Sequence, residues 1–104
     1  MTEFNNVKVN DEDNIYFDGK VISRTITFAD ASIKTLGVML PGEYEFNTEK
    51  KELMEIYTGE LAVHINDDGA WEKIEGGMSF SVSAKSKFNI KIYKITNYCC
   101  SYFE

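Results

Sequence analysis

Three oxygen-bearing side chains stand close together in "PGEYEFNTEKKELMEIYTG", residues 41–59: Glu45, Asn47 and Glu52, the last seven residues before Gly59. Brought together by a fold, such groups hold a hard or borderline metal only if three or four donors converge. Without a metal, carboxylates accept hydrogen bonds from hydroxyls and stabilise positive charge that develops in a transition state. The metal reading is short of ligands. The one histidine, His64, lies in "LAVHI", where Leu61, Val63 and Ile65 form an apolar face and leave His64 opposite with Ala62. A surface or interface imidazole is expected there, and no bound metal. The two cysteines, Cys99 and Cys100, are sequence neighbours. Neighbours on a strand point to opposite faces, and bridging them needs a strained ring. Two reduced, packed thiols are expected.

The elements that must position these groups are strands. "NIYFDGKVISRTITF" (14–28) places Val21, Ser23, Thr25 and Thr27 on one face and Ile22, Arg24, Ile26 and Phe28 on the other. "SIKTLGVMLP" (32–41) is mostly apolar, as a strand covered on both faces would be. "EYEFN" alternates acid or amide with aromatic. "ELMEIYTGELAVHI" reads as two strands meeting near Thr58-Gly59, after a polar loop at 48–51. "NDDGA" (66–70) is a turn signal between "LAVHI" and "WEKI". "EGGMSFSVSAKSKFNIKI" repeats strand, turn, strand, and "TNYCCSYFE" closes the chain. Helical spacing is confined to Glu49, Leu53 and Ile56, and β-branched residues and a glycine follow at once. About eight short strands with regular turns predict a sandwich or small antiparallel barrel. Residues 1–13 read as a polar N-terminal segment, and 14–104 as one domain.

Composition narrows the function. The chain has 104 residues, 43% of them hydrophobic and 13% aromatic, which is a globular balance for a single domain. Its formal net charge is −6 and it has one arginine, Arg24. That surface repels phosphate backbones, so nucleic acid is not an expected partner. No apolar run reaches the roughly 20 residues of a membrane helix. "MTEFNNVKVNDEDN" lacks the apolar stretch of a signal peptide, so a cytoplasmic location is expected.

The spacing of Glu52 and Gly59 resembles the first motif of the cupins, β-barrels that often hold a metal on two histidines and a glutamate. In that frame Glu45 and Asn47 occupy the histidine positions. In the second motif, set on Gly77, Ser83 stands at the proline, Lys85 at the glycine and Phe88 at the last histidine. The resemblance implies a cupin-like (RmlC-like) antiparallel barrel or jelly roll. The frame is kept without its ligands, and such a barrel still offers a concave mouth to a small molecule.

A more specific resemblance covers Tyr16 to Tyr102. "YFDGKVISRT", "LGVMLPGEYEFNT", "ELMEIYTGELAVHI", "GAWEKIEGGMSFSV", "SKF" and "YCCSY" are similar to the signature segments of the small cupin-type pyrimidine/purine nucleoside phosphorylases. The resemblance implies a nucleoside plus inorganic phosphate giving a free base and ribose 1-phosphate. It also implies breadth over purines and pyrimidines, no metal or other cofactor, and a homodimer. The chain departs from that pattern at Ile33 and at Ser101, where many members carry arginine, and at Ser83. Two lost cations bear on how phosphate is held.

Phosphorolysis passes through an oxocarbenium-like sugar, by analogy with glycoside cleavage. Phosphate needs positive charge or converging donors. Lys34 is the first candidate, with Ser32 and Thr35 as hydroxyl neighbours and Arg24 as the alternative cation. Glu45 and Glu52 are the candidate catalytic carboxylates, with Asn47 beside them. In the rival register Tyr44 and Phe46 face inward, and Tyr44 meets the ligand. Phe88, Met54 and Tyr98 offer apolar surface to a base. Two other readings remain: a non-catalytic small-molecule-binding barrel or dimer, and a metal cupin of unusual ligation.

Overall fold

The alternating stretches form nine strands in the computed structural model, which describes residues 3–66 and 69–104. They are β1 (Lys8–Val9), β2 (Asn14–Tyr16), β3 (Val21–Thr27), β4 (Ile33–Met39), β5 (Gly42–Asn47), β6 (Lys51–Ile65), β7 (Glu72–Glu75), β8 (Ser79–Val82) and β9 (Lys87–Phe103). The described pairings are all antiparallel. The sheet runs β1-β3-β4-β9-β6-β7, with β2 also on β3, β5 on β9 and β8 on β6. The polar N-terminal segment therefore contributes a strand, since Lys8 and Val9 pair with Thr27 and Ile26. Of the turn expected at 66–70, residues 67 and 68 lie outside the described residues.

Two long strands make the barrel. The first half of β9 pairs with β5, from Lys87 to Ile92, and its second half pairs with β4, from Thr96 to Ser101. β6 likewise takes β8 on its first half and β7 on its second. β6 and β9 pair along their lengths, with register shifts between Ile56 and Leu61. Bulges of this kind bend a strand without ending it. The stretch read in sequence as two strands is thus one strand folded at Gly59. That glycine has φ +120, and a Cβ there would overlap the Thr96 hydroxyl and lie 2.7 Å from Thr96 Cα. Only glycine fits both the conformation and the crossing.

Side chains that alternate inward fill the interior. Val21, Met39, Ile56, Leu61, Val63, Ile74 and Ile90 are each at most 1% exposed and join one core cluster. His64 is half-buried on the face opposite Leu61 and Val63, stacked on Trp71 at 5.1 Å, with Nε2 3.0 Å from the Gly69 carbonyl. No helix among the described residues is long and apolar enough to cross a membrane.

Candidate active site

At one end of the barrel the core gives way to a cavity of about 180 Å³. β9 supplies Phe88, Tyr98, Cys100 and Tyr102, and β6 supplies Glu52 and Met54. Thr35 and Met39 come from β4, Phe46 and Asn47 from β5, Ser23 from β3 and Tyr16 from β2. The register explains the gathering. Directly paired residues share a face of the sheet. Glu52 pairs with Tyr102, Met54 with Cys100, Thr35 with Cys100, and Gly37 lies between Ser23 and Tyr98.

The wall has an apolar half and a polar half. Phe46 and Phe88 stack at 5.3 Å with their planes 26° apart, beside Met39 and Met54. Phe17 braces Phe46 edge-on at 5.4 Å from outside. Opposite stand the hydroxyls of Ser23, Thr35, Tyr98 and Tyr102, the Cys100 thiol, the Asn47 amide and the Glu52 carboxylate. Thr35 Oγ1 and the Tyr102 hydroxyl share a hydrogen bond at 3.1 Å. Cys100 Sγ donates to Glu52 Oε1 at 3.4 Å.

Burial sets the protonation states. It pushes the pKa values of Tyr98, Tyr102 and Cys100 well above their ordinary range, so all three remain neutral donors around neutrality. Burial also raises the Glu52 pKa, and the thiol hydrogen bond offsets part of that rise. Among the described residues that line the cavity there is one carboxylate and no lysine or arginine.

The raised Glu52 pKa has a consequence for stability. A carboxyl group harder to ionise in the fold than in the unfolded chain favours the fold at low pH. That advantage is lost as pH rises through the folded pKa. Glu52→Gln should therefore melt higher than the parent at pH 7 and converge with it near and below about pH 4. Thermal melts across that range check it; a gap that widens toward acid would reverse the sign.

The structure brings together six of the residues singled out by sequence: Glu52, Asn47, Thr35, Met54, Phe88 and Tyr98. Four others lie elsewhere. Glu45 is exposed on the outer face of β5, beside Trp71 and Asn89, because alternation puts Tyr44 and Phe46 inward. Tyr44 is buried, but its hydroxyl donates to the Leu40 carbonyl at 2.7 Å and does not reach the cavity. Lys34 sits on the outer face of β4, across from Ser101, with Nζ 5.5 Å and 5.8 Å from the Phe4 and Phe28 rings. Ser32 shares that outer groove and donates its hydroxyl to Asp30 at 2.6 Å. The alternative cation, Arg24, is paired with Asp13 at 2.8 Å, also away from the cavity. The rival register had Phe46 facing inward, as it does; sequence reasoning missed Tyr16, Ser23, Met39, Cys100 and Tyr102 as wall residues. The inward parity of Ser23 was readable, and only strand adjacency could have gathered the rest.

A family model described as pyrimidine/purine nucleoside phosphorylase matches residues 11–102. The chain belongs to that family. A pyrimidine/purine nucleoside phosphorylase of Chlorobium chlorochromatii is 57% identical over 102 residues, 98% of each chain. One of Leptospira interrogans is 50% identical over 104 residues, all of this chain and 98% of its own. Among solved structures, a DUF1255 protein of Acinetobacter sp. ADP1 superposes with TM-score 0.94 at 39% identity, covering 97% of this chain and 98% of that one. An RmlC-like cupin of Shewanella frigidimarina superposes with TM-score 0.70 at 13% identity, covering 96% of this chain and 86% of its own, which shows the fold alone. The phosphorylase family member described here is thus an all-β barrel of cupin type.

Proposed function

We propose that this family member cleaves purine and pyrimidine nucleosides with inorganic phosphate, giving free base and ribose 1-phosphate, without a metal. The observation that carries the reading is the two-sided cavity. An apolar Phe46/Phe88/Met54 wall faces a carboxylate and several hydroxyls, a match for a flat base joined to a polyhydroxylated sugar. An apolar wall makes few obligatory hydrogen bonds, which suits breadth over bases. Glu52 lies near the sugar and stabilises the positive charge that grows as the bond to the base breaks. Phosphate is met by neutral donors, Thr35, Tyr102 and Ser23, because Lys34 and Arg24 point elsewhere. At about 180 Å³ the cavity is smaller than the roughly 300 Å³ at which ligand pockets usually start. One half of the nucleoside therefore sits outside, near Tyr16.

The protein would act as a homodimer in the cytoplasm. Ile15, 64% exposed, stands in register with half-buried Ile22 and Val38 on the outer sheet face, an apolar row suited to a second copy. Cys99 and Cys100 are buried free thiols, in keeping with a reducing compartment.

The test is phosphate-dependent base release from uridine, inosine, adenosine and guanosine, with ribose 1-phosphate identified as product and chelator present in a parallel arm. Activity indifferent to chelator is expected, and light scattering of the same sample should give twice the chain mass. No base release from any of the four nucleosides would leave a ligand-binding barrel as the better reading.

A further inference from the structure

We infer that this chain also transfers the ribosyl group to water, so that free ribose accompanies ribose 1-phosphate. The inference rests on the nucleoside-cleaving reading above and concerns which nucleophile the site admits. Around the polar half of the cavity the described groups are hydroxyls, a thiol, an amide and one carboxylate. A phosphate anion placed there meets the Glu52 charge at short range with no described cation to offset it. Neutral water meets no such repulsion.

Arg24 and Lys34, the cations that follow Ser23 and precede Thr35, are committed elsewhere. The Arg24 guanidinium is held by Asp13 at 2.8 Å and by the Asp11 carbonyl at 3.1 Å. The Lys34 ammonium lies over Phe4 and Phe28, on the face of β4 opposite Thr35. Glu52 also has what a general base needs. It is half-buried, it accepts a weak hydrogen bond from the Cys100 thiol, and burial makes its carboxylate more basic.

The step balances without another reactant. A water oxygen forms a bond to C1′ as the bond from C1′ to the base nitrogen breaks, and that electron pair leaves with the base. Glu52 takes a proton from the water and the same proton passes on to the departing base, so the products are ribose and the neutral base and Glu52 is again a carboxylate. One position on β4 offers a test of the partition. Ile33 shares the face of Thr35, one pleat along β4, and is 44% exposed. A cation there would stand on the same face of β4 as Thr35 and favour phosphate.

The experiment follows base, ribose and ribose 1-phosphate from uridine and inosine, with and without inorganic phosphate, in water enriched in oxygen-18. In phosphate-free buffer, base release at no less than about a tenth of the rate with phosphate is expected, with the label in ribose. Glu52→Gln should cut that hydrolysis by about a hundredfold or more. Ile33→Arg, at an exposed position, should raise the share of ribose 1-phosphate several-fold. Base release only with phosphate, and ribose 1-phosphate as the only sugar product, overturns the inference and leaves the phosphorylase reading standing. Unlabelled ribose, or hydrolysis unchanged in both variants, also overturns it. No release in either buffer overturns both readings.

Discussion

Glu52→Ala should lower the turnover of nucleoside by about 10²- to 10⁴-fold while the protein stays folded. The argument is electrostatic. Breaking the bond to the base leaves positive charge on the sugar, and Glu52 is the one carboxylate among the described groups of the cavity wall. Its surroundings are low in polarity on one side, where Phe88 is 2% and Met54 3% exposed, so the interaction is weakly screened. Because the charge matters and not the shape, Glu52→Gln should lose nearly as much. The loss should fall on kcat more than on KM, since the charge it answers exists only in the transition state. Steady-state kinetics on both variants, with circular dichroism to verify the fold, is the measurement. Glu45→Gln is the informative comparison. Both carboxylates fit the same sequence frame, and only Glu52 faces the cavity. A large loss at Glu45 with little at Glu52 would move the site to the outer face of β5.

That comparison also marks how far the site was legible in the sequence. The spacing from Glu52 to Gly59 pointed to a carboxylate in a barrel mouth, and Glu52 is there. The same frame named Glu45, and strand alternation overrode it: Phe46 has to be inward to stack on Phe88, so its neighbour is outward. The alternation that overrode Glu45 is what made β3, β4 and β5 readable at all. Lys34 went astray for the same reason. Thr35 lines the cavity, and alternation turns Lys34 to the other face of β4. Lys34 instead lies opposite Ser101, on the outside of the barrel. The length of β6 and β9 was not legible, because a bulge looks like a strand end when read one residue at a time. Of the polar wall, Thr35 and Tyr98 were named from the sequence, whereas Ser23, Cys100 and Tyr102 were not. Together these residues come from three strands, and nothing local to any of them says that β9 lies between β4 and β6.

Gly37→Ala should cost about 3 kcal/mol or more and remove most activity along with it, through space and not through backbone conformation. Gly37 lies in β4 with Ser23 of β3 on one side and Tyr98 of β9 on the other. A Cβ there would overlap the Ile22 carbonyl oxygen and stand 2.8 Å from both Cε1 and Cζ of the Tyr98 ring. The first neighbour is backbone of a paired strand and cannot yield without breaking the β3–β4 ladder. The second is a ring that lies over the glycine and carries its hydroxyl to the Ser23 side of the cavity. An added methyl therefore pushes apart two strands or drives Tyr98 into the space meant for substrate. For a domain of this length such a loss lowers Tm by roughly 12–24 °C. Gly19→Ala separates the two causes. Gly19 has φ +89 but nothing within 4 Å of a new Cβ, so that variant bears only backbone strain, about 1 kcal/mol. Denaturant unfolding of both variants decides the matter: a Gly37→Ala loss no larger than that of Gly19→Ala would mean that the Tyr98 ring does not pack on this glycine.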